Sequence, residues 1–132
     1  MASSIVVLVV EDDWLIREDV VDELRRVGLT VLETATAEGA LELLQAGQRI
    51  DVLITDIQLA GHLSGWDVAE RFRASHPDVG VIYASGNSVE RARQVSDSVF
   101  VSKPFGVAAL VDACRHKGAV VERNCSFDRT RA

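Results

Sequence analysis

Residues Ile5-Val6-Val7-Leu8-Val9-Val10 form an unbroken apolar run that ends abruptly at Glu11-Asp12-Asp13. A run without alternation suits a strand buried on both faces. Ile16, Val20, Leu24 and Val27 then recur at helical spacing, and Gly28 supplies a stop. Thr30-Val31-Leu32-Glu33 reads as a short strand near a sheet edge, because of its polar content. Thr36 can cap a helix with Ala40, Leu41 and Leu44 on its apolar face, ending at Gly47. A third strand, Val52-Leu53-Ile54-Thr55, runs into Asp56, and a loop from Gln58 to Ser64 follows. Ser64 and Asp67 have the spacing of a capping box for a helix carrying Val68, Ala69 and Phe72, with Pro77 beyond its end. Val79 to Ala84 reads as a fourth strand, Val89-Ala92-Val95 as a short fourth helix, and Ser98 to Val101 as a fifth strand. The last helix presents Val107, Leu110, Val111 and Cys114.

Strands alternating with helices over short loops predict an α/β fold, a doubly wound five-stranded parallel sheet with helices on both faces. Residues 1–117 are expected to form one domain. Residues 118–132, polar from Glu122-Arg123-Asn124 to Asp128-Arg129-Thr130-Arg131, are expected to be a flexible tail.

Composition narrows the function. At 132 residues and 48% hydrophobic, with only two prolines, the chain can bury a core of its own. A formal net charge of −6 argues against nucleic acid or an anionic membrane as a direct partner. No apolar stretch approaches the roughly 20 residues of a membrane span. Met1-Ala2-Ser3-Ser4 lacks the basic and apolar parts of a signal peptide, and Cys114 and Cys125 have no metal-ligand or disulfide spacing. A cytoplasmic location is the expectation.

The chemistry collects at strand ends. Open α/β sheets bind ligands outside the carboxyl ends of their strands, where Asp12, Asp13, Asp56, Ser85 and Lys103 all fall. Carboxylates facing one ammonium can hold a divalent metal and a phosphoryl group. Asp13 and Asp56 could supply metal ligands, with Asp12 acting through water. An Asp56 oxygen could then attack phosphorus, giving an aspartyl phosphate. Lys103 would neutralise charge on the transferred group, and the Ser85 hydroxyl could donate to one of its oxygens. Simpler roles are also open: Asp12 or Asp13 could cap the first helix, Asp56 or Ser85-Gly86-Asn87 could serve a turn, and Lys103 could be solvated. Trp14 could border the site or pack for stability.

Asp12-Asp13, Asp56, Ser85, Phe100 and Lys103-Pro104, in that order on the predicted strands, resemble the receiver domain of two-component response regulators over residues 5–117. The strand order 2-1-3-4-5 comes with this resemblance. It implies Mg²⁺ as cofactor, with Mn²⁺ as a substitute, and the Gln58 backbone carbonyl as a further ligand. It implies a phosphohistidine donor on a histidine kinase or histidine phosphotransferase, and a cis peptide between Lys103 and Pro104. Ser85 and Phe100 would be the switch, Ser85 drawn inward by phosphorylation and Phe100 rotating into the vacated space. The chain would catalyse only its own phosphorylation and dephosphorylation, and signal by protein–protein contact or act as a phosphate sink. A homodimer is compatible with the family but does not follow from the sequence.

Two departures stand out. The loop from Asp56 to Gly65 has Ala60 where many receivers carry proline, and is one residue longer than common. The segment between Ser85 and Lys103 is about one helical turn short, so the fourth helix should be short. A small Mg²⁺-dependent phosphatase with an aspartyl nucleophile is the alternative enzyme, but that class wants a second acid where this chain has Gln58. A non-phosphorylated binding module is the other alternative. The complete set of acids, hydroxyl and lysine opposes it.

Overall fold

Continuous apolar strands require cover on both sides, and the chain supplies it. A computed structural model describes residues 5–85, 93–103, 106 and 108–117. The elements are β1 (Val6–Val10), α1 (Trp14–Arg26), β2 (Thr30–Thr34), α2 (Ala37–Gln45), β3 (Val52–Asp56), α3 (Gly65–Ser75), β4 (Gly80–Ser85) and β5 (Val99–Ser102). Residues 108–117 are helical. All strand pairs are parallel and the order is β2-β1-β3-β4-β5.

Side chains alternate across each strand, so one sheet carries two cores. Val7 and Val9 face α1 (Val20, Val21, Leu24) and the last helix (Leu110, Val111, Cys114). Leu8 and Val10 face α2 and α3, through Ala40, Leu41, Val68 and Phe72. The edge strand β2 is only partly buried, in keeping with its polar content. Burial pushes the Cys114 thiol up to about 12, which leaves it an inert apolar filler.

Local signals set the helix ends. Ser64 and Asp67 form the reciprocal capping box at α3. Gly28 (φ +96°) and Gly47 (φ +77°) take left-handed backbone just past α1 and α2. At each, a paired turn closes the helix: Leu29 N–H reaches the Leu24 carbonyl at 3.1 Å, and Gln48 N–H the Leu43 carbonyl at 3.2 Å. Val27, expected on the buried face of α1, is its C-cap and 38% exposed, because the chain reverses there. The short fourth helix expected at 89–95 falls mostly on 86–92, outside the described residues. Gln94 and Val95 lie in no regular element. The cis peptide expected at Lys103-Pro104 and the tail 118–132 also lie outside the described residues.

This topology decides where chemistry can happen. The chain leaves β1 toward β2 and returns to β3 on the other side, so a crevice opens between the ends of β1 and β3. Val10 pairs with Thr55, Asp56 with Ala84, and Ser85 with Ser102, which sets the strand ends level along one edge.

Candidate functional site

A cleft of about 490 Å³ lies at that edge, lined by residues from the ends of β1, β3, β4 and β5. Asp56 is the last residue of β3 and points into it. Its Oδ1 accepts the Ile57 N–H at 2.7 Å, and its Oδ2 lies 3.2 Å from Lys103 Nζ. Lys103 Nζ also donates to Glu11 Oε1 at 2.7 Å. The lysine backbone is tied in turn, since its N–H donates to the Ser85 carbonyl at 2.7 Å. Ser85 is buried at the end of β4 and lines the cleft, as does exposed Gln58.

Carboxylate oxygens of Glu11, Asp12 and Asp56 all lie within 4.8 Å of one another. Asp13, expected as a ligand, also lines the cleft, and its side chain is the N-cap of α1. Its Oδ1 accepts the N–H groups of Leu15 at 3.0 Å and Ile16 at 3.3 Å. The reason is positional. β1 ends at Val10 and α1 begins at Trp14, so the residue before the helix caps it and the two before that gather with Asp56. Glu11 is therefore a site residue that the sequence reading left out. Its one available signal was its place directly after the apolar run.

Gly65 was passed over as well. Its N–H donates to the Ile57 carbonyl at 2.8 Å, and a Cβ there would lie 2.0 Å from the Asp56 carbonyl oxygen. The start of α3 thus presses directly on the end of β3. No sequence pattern announces such a contact. Phe100 is half-buried, paired in register with Tyr83 and packed on the α2–α3 core. Trp14 is 60% exposed, so it is not packed for stability, and it does not line the cleft.

The electrostatics have one direction. Burial raises the Glu11 carboxyl above its usual range; hydrogen bonds from Lys103 and the Asp13 N–H oppose this, and the Asp56 charge adds to it. Burial works against the Lys103 ammonium, but the Glu11 hydrogen bond and the charges of Asp56 and Glu11 outweigh it, so its pKa is raised. Three clustered carboxylates face one ammonium, which leaves the cluster with surplus negative charge. Hard oxygen donors with surplus negative charge fit a small divalent cation.

The response regulator receiver domain model matches residues 7–115. Among curated relatives, the chain is 30% identical over 115 residues to the sensor kinase CckA of Brucella abortus, covering 83% of this chain and 12% of that protein. It is 29% identical over 121 residues to the transcriptional regulatory protein FixJ of Azorhizobium caulinodans, covering 87% and 56%. The chain thus spans only part of the length of these relatives. A response regulator receiver protein from Sinorhizobium medicae superposes with a TM-score of 0.86 at 29% identity, over 90% of this chain and 98% of that one. The response regulator protein TrrA of Thermotoga maritima, in complex with Mg(2+)-BeF, gives 0.74 at 28% identity, over 86% and 98%. Among the described residues, no helix is long and apolar enough to cross a membrane. In sequence and strand order, the chain belongs to the response regulator receiver domain family.

Proposed function

We propose that the chain is the phosphoryl-accepting element of a two-component phosphorelay, with Asp56 as acceptor. One observation carries this reading: Asp56 stands at the crevice with one oxygen held by Ile57 N–H and the other facing Lys103, inside a cluster of acids. Glu11, Asp12 and Asp56, with the Gln58 carbonyl, would hold Mg²⁺, the metal present with the relative TrrA. When bound, that ion would offset negative charge on the phosphoryl oxygens. Asp13 is reserved for the helix cap.

The reaction uses few parts. Asp56 Oδ2 attacks phosphorus as the P–N bond to the donor's phosphohistidine breaks. The imidazole leaves with that electron pair, and an aspartyl phosphate remains. Lys103, already beside the attacking oxygen, stays cationic and pairs with the transferred group. The Ser85 hydroxyl donates to a phosphoryl oxygen. Its inward movement opens space for Phe100, and the altered surface is read by a partner protein. The donor is a histidine kinase or histidine phosphotransferase, and the chain turns over no other substrate.

The test is direct. Incubation with acetyl phosphate and Mg²⁺ should place one phosphoryl group per chain in a hydroxylamine-sensitive bond, and chelation should slow labelling at least ~10-fold. Multiple turnover with no stable label would sink the receiver reading in favour of a phosphatase.

Trp14 and Leu15, 60% and 62% exposed, open α1 directly after the acids. Such a pair suits the contact with a protein donor. Leu15→Ala should slow transfer from a phosphorylated protein donor about 10-fold and leave acetyl phosphate labelling within about twofold. Equal slowing with both donors would remove Leu15 from the contact.

A further inference from the structure

Glu11 and Asp12 sit on the turn between β1 and α1, and carboxylates drawn this close repel one another. Something must hold the turn against that repulsion. Arg17, in the second turn of α1, folds back over the helix start. Its Nη1 donates to the Glu11 carbonyl at 2.8 Å and its Nε to Glu33 Oε1 at 3.1 Å. Its own N–H donates to the Asp13 carbonyl at 2.9 Å. The side chain therefore fastens the turn at Glu11, while the main-chain bond to Asp13 is the first bond of the helix itself. β2 grips the same turn twice: the Thr34 carbonyl accepts the Glu11 N–H at 3.1 Å, and Glu33 anchors the guanidinium. Arg17 is only partly exposed, and among the described residues its guanidinium bonds to Glu33 and the Glu11 carbonyl and to none of the cluster's carboxylates.

We propose that Arg17, anchored by Glu33, is a positioning residue that sets the Mg²⁺ affinity of the site through the Glu11–Asp12 backbone. The inference rests on the metal reading given under Proposed function. Its sign separates it from a plain charge effect. A cation near a metal site weakens metal binding, so removing one without other consequence tightens it. Loss of a brace weakens it.

The experiment measures Mg²⁺ binding by isothermal titration calorimetry at fixed ionic strength, on the full chain, with metal-free melting temperature in parallel. Arg17→Gln should raise the Mg²⁺ dissociation constant about 10-fold. Glu33→Gln should shift it the same way by less, and the double variant should match Arg17→Gln alone. Labelling by acetyl phosphate at saturating Mg²⁺ should then recover to within about twofold of wild type. Arg25→Gln is the control, because Arg25 approaches Glu33 at 3.8 Å and donates to the Val31 carbonyl without touching Glu11. Unchanged or tighter Mg²⁺ binding in Arg17→Gln, or a loss no larger than that in Arg25→Gln, overturns the proposal. Should Arg17→Gln fail to fold, an unchanged dissociation constant in Glu33→Gln overturns it equally. Failure of the wild type to bind Mg²⁺ would overturn the metal reading together with this one; a bound wild type with an indifferent Arg17→Gln overturns this one alone.

Discussion

Asp56→Asn is expected to abolish labelling by acetyl phosphate while the chain stays folded. The amide keeps an oxygen to accept the Ile57 N–H now held at 2.7 Å, so the end of β3 has no reason to move. Lys103 keeps Glu11 at 2.7 Å and is not left as an unpaired cation. What disappears is the charge and nucleophilicity of the second oxygen, since an amide's electron pair is delocalised and attacks phosphorus poorly. Metal-free stability should change by no more than about 1 kcal/mol, because relief of repulsion among the acids offsets the weaker Lys103 pair. Mass spectrometry of the intact variant, with its melting temperature, measures both halves. A labelled Asp56→Asn chain would move the acceptor elsewhere, and an unfolded one would show Asp56 to be structural.

Gly65→Ala is the second large effect, and it acts on stability. The added Cβ would sit 2.0 Å from the Asp56 carbonyl oxygen and 2.9 Å from Ile57 Cα. These are backbone atoms of a central strand and cannot turn aside as a flexible side chain would. Either α3 withdraws, giving up the Gly65 N–H to Ile57 carbonyl bond, or the end of β3 bends. The expected cost is about 3 kcal/mol, roughly a 10 °C fall in melting temperature for a domain of this size. Any folded fraction should also accept phosphoryl slowly, because the displaced atom belongs to Asp56, the proposed acceptor. A melting temperature within ~2 °C of wild type would mean that the two elements are less tightly pressed than their geometry indicates.

Much of the architecture is legible in the chain because parallel strands leave a simple trace. Val6–Val10 and Val52–Ile54 are apolar throughout, which only two-sided burial explains. Ser64 with Asp67, and Gly28 with Gly47, mark helix ends through bonds that form within a few residues, so local sequence suffices. The strand order is different in kind: it came with the family resemblance. At the cleft, Asp56 and Lys103 were legible as the acid and the cation at their strand ends, and their approach to 3.2 Å agrees. The choice among Glu11, Asp12 and Asp13 was not. All three are carboxylates at the cleft, and only the point where strand yields to helix separates the two that cluster with Asp56 from the one that caps α1. Gly65 was hidden for a related reason, because its importance lies in a contact across space with a strand nine residues earlier in the chain.

The pairing of Lys103 with Glu11 joins positions 92 residues apart, and its pairing with Asp56 closes a span of 47. Contacts this distant are slow to form, since the entropy of closing the intervening chain must be met before they contribute. During synthesis the acids emerge long before their cation, and β1, β3, β4 and β5 must be side by side before the two meet. The assembled cluster of acids and lysine is therefore a late product of folding. A half-folded molecule carries the acids without the lysine, so under the proposed function transfer would itself act as a check on folding.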